Sequence, residues 1–285
     1  MSRVIKTAGI DVLPPRAATA PEDAPALASR APVPIALISV VTVAAILGLW
    51  SLSSWLGWVS KVFLPSPLAV VDALVLTARD GFADSTLLRH ALASLGRVFG
   101  SLVASLVVGI PVGVAIATTR IGRGVFDPIV EFLRTLPPLA YLPLVIIWFG
   151  IGETSKMLVI GLAMLPAIVL STAAGVRSAS EDRIRAARSL GASPFDVLRL
   201  VVLPSALPAI LTGLRIALGA GWTTLIAAEL IAAPRGLGYM IQSAAQFLAT
   251  DVVIAGIFVI AAFAIAFEAV LRALERRFVP WGGRL

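Results

Sequence analysis

Few residues in this sequence are suited to chemistry, and their placement says more than their number. The chain has one histidine, His90, no cysteine, and 16 acids among 285 residues. Thiolate nucleophiles, disulfides and histidine-rich metal sites are excluded. The acids are scattered, so no clustered acid–base constellation is expected and the chain is not read as an enzyme. Gly150-Ile-Gly-Glu-Thr-Ser-Lys156 superficially resembles a phosphate-cradling loop but lacks the G-x-x-x-x-G-K-[ST] spacing. Any nucleotide would have to be hydrolysed elsewhere.

The densest polar stretch is Arg177 to Pro204, RSASEDRIRAARSLGASPFDVLRLVVLP, with apolar sequence on both sides. Its pattern predicts docking rather than catalysis. Glu181 to Leu190 has good helix formers, with Ile184, Ala187 and Leu190 recurring on one face. Gly191 can end that helix in a left-handed residue. Ser193 before Pro194 is an N-cap followed by proline at the first helical position. Phe195, Leu198, Val201 and Val202 form a second apolar stripe. The expectation is two short helices around a glycine elbow, offering a helix end to something outside the membrane.

These residues need a scaffold, and the composition says which. The chain is 59% hydrophobic and 14% charged, against about 25% charged for soluble domains. An all-α integral membrane protein is expected. Six spans follow from uncharged runs of about 20 residues: 35–57, 98–119, 135–152, 157–176, 207–232 and 250–272. The third is the weakest, because Glu131 and Arg134 stand at its entry and Pro137-Pro138 follow. Gly109, Pro111 and Gly113 mark kink positions in the second. Residues 1–33, rich in proline and alanine, are expected to be a disordered tail; 34–285 form the membrane domain, with 177–204 as its docking region. Pro65-Ser66-Pro67 opens a short helix, Leu68 to Arg79, along the membrane surface.

Basic residues set the orientation. With both termini on one side, that side holds Arg3, Lys6, Arg16, Arg30, Arg120, Arg123, Arg177, Arg183, Arg185, Arg188, Arg199, Arg272, Arg276, Arg277 and Arg284. The other side holds Lys61, Arg79, Arg89, Lys156 and Arg235. Fifteen against five puts the termini and the docking region in the cytoplasm. The net charge of +7 is spread over these loops, so anionic lipid, not nucleic acid, is its expected partner.

Charges within spans are costly unless paired or hydrated. Glu131 and Arg134, at i,i+3, can pair on one helix face, as can Glu268 and Arg272 at i,i+4. Glu229 has no basic neighbour in the chain. It either lines a polar pathway or pairs with a residue on another helix.

Ala186-Ala187, Gly191 four residues on, and Val201-Val202-Leu203-Pro204 resemble the EAA…G…I-LP coupling motif of the permease subunits of bacterial ABC importers. Arg185 stands where that motif has its glutamate. Phe63-Leu64-Pro65-Ser66-Pro67, Trp148 to Lys156, Ile216 to Gly238, Phe247 to Val253 and Pro280-Trp281-Gly282 resemble the taurine, aliphatic sulfonate and nitrate permease group, and its taurine branch most. The resemblance implies a type I importer fold with cytoplasmic coupling helices in a bacterial inner membrane. It implies ATPase coupling through Arg185, Ala186, Ala187, Gly191, Ser193, Phe195, Leu203 and Pro204; Glu229, Glu131 and Arg134 are candidate pathway or buried charges from their place in or beside the spans. The implied partners are a second permease copy, two ATP-binding subunits that carry ATP and Mg, and a periplasmic or lipid-anchored binding protein. No cofactor is expected in this chain. The implied substrate is taurine or a related sulfonate, with nitrate or another small anion as the alternative. A gradient-coupled carrier, a membrane enzyme and a purely structural protein are the competing classes.

Overall fold

The computed structural model describes residues 34–279, and they are helical almost throughout. The expected tail and the Pro280-Trp281-Gly282 ending lie outside the described residues. In chain order the helices are α1 Ile35–Trp55, α2 Pro67–Arg79, α3 Leu87–Thr118, α4 Arg120–Thr135, α5 Pro138–Phe149, α6 Glu153–Arg177, α7 Glu181–Ser189, α8 Pro194–Val197, α9 Leu203–Ala232, α10 Leu237–Gln246 and α11 Thr250–Phe278. Contacts divide the chain into a first unit up to Leu47 and a second from Gly48 onward. The described part of the first is the opening of α1, a helix apolar on every side, as a lipid-embedded span requires.

Local signals place the helix starts. Ser66 Oγ accepts from the Ala69 amide at 3.2 Å, with Pro67 next, so α2 begins where the sequence predicts. Thr86 caps α3 through the Arg89 amide. Among the described residues five helical segments are long and apolar enough to cross a membrane, and the α4–α5 pair makes a sixth if counted as one span.

That pair corrects the expected third span. Residues 135–152 hold only the 12-residue α5, bent 107° from α4 across a short break. Twelve residues rise about 18 Å, too short for about 30 Å of hydrocarbon. The physical cause is Pro137-Pro138. A proline cannot donate to the helix ladder and pushes the residue before it out of helical geometry, and Leu136 is extended. By contrast, α3 runs unbroken through Pro111 for 32 residues and starts well before the expected Val98.

The core of the second unit is α6 between α3 and α9. Lipid offers little hydrophobic driving force between helices, so close approach relies on small residues. Ser101 and Ser105 donate to the carbonyls of Met157 and Gly161 at 2.8 and 2.9 Å. A Cβ on Gly113 would lie 2.7 Å from the Val169 carbonyl oxygen, and one on Gly213 would lie 3.0 Å from that of Ala167. Around these contacts Val98, Ile160, Met164 and Leu225 are fully enclosed. Phe267 of α11 stacks edge-on to Phe99 and lies 5.8 Å from Trp222, fixing α11 to α3 and α9.

Candidate functional site

The docking region forms the expected elbow. Helix α7 ends in a Schellman-type turn: the Ala192 amide donates back to the Ala187 carbonyl at 3.1 Å, and Gly191 has φ +87°. Ser193 then caps α8. Its hydroxyl accepts from the Asp196 amide at 3.2 Å, and Asp196 Oδ2 accepts from the Ser193 amide at 3.1 Å, a reciprocal capping box. The sequence pattern had pointed to Ser193 but not to Asp196.

One expectation is corrected here. The second helix of the elbow is not short. After α8 the chain passes through a π turn, Leu198–Val202, straight into α9. Pro204 has no amide hydrogen for the fourth-preceding carbonyl and crowds it, so the helix widens there instead of ending. The elbow is therefore the near end of a single rod that reaches Ala232.

The candidate docking residues divide into two sets. Ile184 and Ala187 pack with Val176, Val197, Val202 and Ala206, anchoring α7 to α6 and α9. Leu203 is half-buried. Arg185, Ala186, Gly191, Ser193, Phe195 and Pro204 are exposed, as are Leu200 and Leu190, the latter at the helix end and not packed with Ile184 and Ala187 as its spacing predicts. Arg185 reaches Glu181 and Asp182 at 3.3 Å, all three well exposed. Such pairs contribute about 0–1 kcal/mol, so Arg185 remains available to a partner.

A second constellation lies at the other end of α6. It gathers charges that are far apart in sequence, which corrects the expectation of scattered acids. Arg97, 4% exposed, grips Glu153 with Nε and Nη2 at 2.6 and 2.8 Å. Its Nη1 donates to Glu229 Oε1 at 2.6 Å and to the Arg235 carbonyl at 2.7 Å. Lys156, itself buried, donates to Glu153 Oε1 at 2.8 Å. Two cations face two anions, so the cluster is neutral as a whole.

Glu229 is fully enclosed, and every one of its polar contacts is a donor. Ser94 Oγ donates to it, and so does the Gly238 amide, at 2.8 Å. The Leu237 amide in turn donates to Ser94 Oγ at 2.9 Å. Carboxylate and hydroxyl thus satisfy the orphan amides at the start of α10. His90 completes the cap. Its Nδ1 accepts from the Gly236 amide at 3.1 Å, so its Nε2 is the nitrogen that donates, to the Phe82 carbonyl at 2.9 Å. That assigns the neutral Nε2–H tautomer. Gly236 cannot be replaced freely: it has φ +138°, and a Cβ would lie 2.4 Å from the Glu229 carboxyl carbon. Of the two readings of Glu229, the geometry gives the partner on another helix. Neither His90 nor Arg97 was a sequence candidate. A lone cation within an apolar run was the signal available for Arg97.

Glu131 and Arg134 pair on α4 at 2.7 Å, half exposed. Glu268 favours Arg215 at 3.4 Å over the expected Arg272 at 3.8 Å, and Glu275 joins Arg215 at 3.0 Å. Between α3 and α6 lies a groove of about 480 Å³, lined by Ser101, Ser105, Met157 and Leu165 among others, with Glu153 at one end. Gly150 to Gly152, the false phosphate loop, is the turn into α6.

Residues 109–280 match the family described as binding-protein-dependent transport system inner membrane component. The chain is 55% identical over 249 residues to the taurine transport system permease protein TauC of Escherichia coli K12, covering 87% of this chain and 90% of that one. It is 36% identical over 244 residues to the putative aliphatic sulfonates transport permease protein SsuC of the same organism, covering 83% and 88%. Among solved structures, an inward-facing form of the MetNI methionine ABC transporter superposes with a TM-score of 0.55 at 24% identity, over 66% of this chain and 95% of that one.

Proposed function

The chain belongs to the family of binding-protein-dependent transport system inner membrane components, and from that premise we propose that it carries taurine inward across the membrane by alternating access, driven by ATP hydrolysis on separate subunits. It is a multi-pass permease subunit and not itself the ATPase. The observation that carries the substrate is the 55% identity to the taurine permease, which extends over nearly all of both chains.

The exposed elbow supports the energy source. Leu190 at the end of α7 and Phe195 of α8, 89% and 66% exposed, flank the elbow, from which an anchored rod runs to the buried charge cluster. A partner that presses on Gly191 moves α9 as a unit, because interfaces in a packed bundle shift between discrete arrangements. Two copies of this chain, two ATP-binding subunits holding ATP and Mg, and a periplasmic or lipid-anchored binding protein complete the transporter. The arginine asymmetry supports an orientation with the elbow and both termini in the cytoplasm.

The test is uptake. Cells carrying this chain with its cognate ATPase and binding protein accumulate radiolabelled taurine, require ATP, and continue when the proton gradient is collapsed with ATP maintained. Nitrate in excess competes poorly, since it has no ammonium group. Nitrate competing better than taurine would overturn the substrate. Uptake without any ATPase would overturn the mechanism in favour of a gradient-driven carrier. An aliphatic sulfonate is the second reading, favoured by the 36% identity to the sulfonate permease; competition by alkanesulfonates lacking an amine separates the two.

A further inference from the structure

Helix α4 has three distinct sides. Successive residues turn by about 100°, so Arg120, Arg123, Asp127, Glu131 and Arg134 all fall within an arc of about 80°. The adjacent side, with Gly122 and Val130, is buried. Val130 is 3% exposed and packs with Ile116 of α3 and with Val169 and Ala173 of α6. The far side shows Ile121, Val125, Ile129 and Phe132, each at least half exposed. Apolar residues on the far side suit lipid or a second copy. The charged stripe suits neither, because hydrocarbon excludes charges that lack water or partners. Among the described residues, Glu131 and Arg134 form the one ion pair on it, with side chains 47% and 57% exposed.

Helix α4 also packs against the inner limit of the α3–α6 groove. Leu165 lines the α3–α6 groove and packs against the cluster that holds Val130. The groove runs from Glu153 to Leu165 with mostly apolar walls, and at its inner limit Leu165 shares a packing cluster with Val130, the residue before Glu131. Glu131 and Arg134 offer, side by side, a carboxylate for an ammonium and a guanidinium for a tetrahedral oxyanion, the latter with donors in a fixed fork.

We infer that the charged stripe of α4 is the wall of a water-filled inner half of the translocation path, and that Glu131 and Arg134 are the pair a small zwitterionic sulfonate exchanges with as it leaves the α3–α6 groove. This rests on the transport function proposed above and names residues for it. The ammonium meets Glu131 and the sulfonate meets Arg134, so the two protein charges trade one partner for another without being left bare. Asp127, Arg123 and Arg120 continue the hydrated wall toward the end of α3.

The chain has no cysteine, so single-cysteine variants report one position each. The complex, with its ATPase and binding protein, is placed in inside-out vesicles and treated with a membrane-impermeant, anionic thiosulfonate reagent. Cysteines at 127, 131 and 134 label at least about tenfold faster than those at 125 and 132, and saturating taurine slows labelling at 131 and 134 but not at 127. Equal labelling on both sides of α4 overturns the inference. Fast labelling that taurine does not slow also overturns it, and assigns the stripe to lipid headgroups. Arg134→Gln raises the KM for taurine about tenfold, and Arg134→Lys restores part of it; an unchanged KM in Arg134→Gln overturns the substrate contact. Uptake by the unsubstituted complex is measured first. If that fails, the function itself is wrong; if it succeeds and the labelling fails, only the role of α4 falls.

Discussion

Arg97 and Glu229 stand 132 positions apart in the chain and 2.6 Å apart in the fold. Arg97 is 4% exposed and Glu229 is wholly enclosed. The same guanidinium holds Glu153 at the start of α6 and the Arg235 carbonyl before α10. One side chain therefore ties α3, α6, α9 and α10 together. Its removal leaves Glu229 with a charge and no counter-ion.

Arg97→Gln is expected to be the most damaging single change in this cluster. Breaking a buried pair from one side costs about 3–5 kcal/mol. The purified protein in detergent should lose most of its thermal stability, and its yield in membranes should fall. Arg97→Lys does not rescue it, because an ammonium cannot span Glu153, Glu229 and the carbonyl at once. Wild-type melting behaviour for either variant would show that the cluster is not holding the helices.

Glu229→Gln tests the same site from the other side. Oε1 accepts from Arg97 and Ser94, and Oε2 accepts from Ser94 and Gly238. Glutamine has one acceptor and one donor, so either amide orientation sets an N–H against another donor. A buried donor left unmatched costs about 1–3 kcal/mol. Thermal stability is expected to drop less than in Arg97→Gln, and transport to fall with it. Hydrogen exchange at the Leu237 and Gly238 amides reads the loss of the cap directly.

Gly236→Ala should resemble Glu229→Gln in its effect on α10. A Cβ there meets the carboxylate, and the backbone stands at φ +138°. Both effects act together, so the start of α10 must move. Increased proteolysis between Ala233 and Gly238, compared with the parent, would register it. Unchanged protection would mean that the loop has room the geometry does not suggest.

Gly191 separates backbone strain from docking. It stands at φ +87° with nothing within 4 Å of a Cβ, so space is open and conformation is the constraint. A left-handed residue other than glycine or asparagine costs about 1–2 kcal/mol. Gly191→Asn is expected to retain the ATPase on co-purification. Gly191→Leu is expected to insert normally but lose ATPase attachment or uncouple hydrolysis from uptake. Full coupling in the leucine variant would remove the elbow from the mechanism.

Orientation can be tested with two exposed positions. Lys61 and Arg188 are both open to solvent, whereas Lys156, on the same predicted side as Lys61, is buried and would report poorly. Cysteine at 61 should label from outside intact cells, and cysteine at 188 only after the cytoplasmic face is opened. Labelling of both from outside would overturn the topology.

Much of the fold was legible from the chain because its signals are local. Uncharged runs mark the spans since hydrocarbon penalises every charge in the window. Ser66-Pro67, Gly191 and Ser193-Pro194 mark helix ends because capping depends on residues three or four apart. What failed locally failed for a nameable reason: Pro137-Pro138 cut the third span, and Pro204 was absorbed by a π turn rather than ending a helix. The charge cluster belongs to the tertiary structure alone. Arg97 and Glu229 are each a lone ion in an apolar stretch, and the cost of such an ion demands a partner without saying which. Glu153, Lys156, Arg215 and Arg235 were all in reach of that demand. Choosing among them required the crossing of α3, α6 and α9, and that crossing is set by where Ser101, Gly113, Gly175 and Gly213 let backbones approach. The sequence determined that the ions must pair; only the close packing of three helices decided that Arg97 would hold two of them.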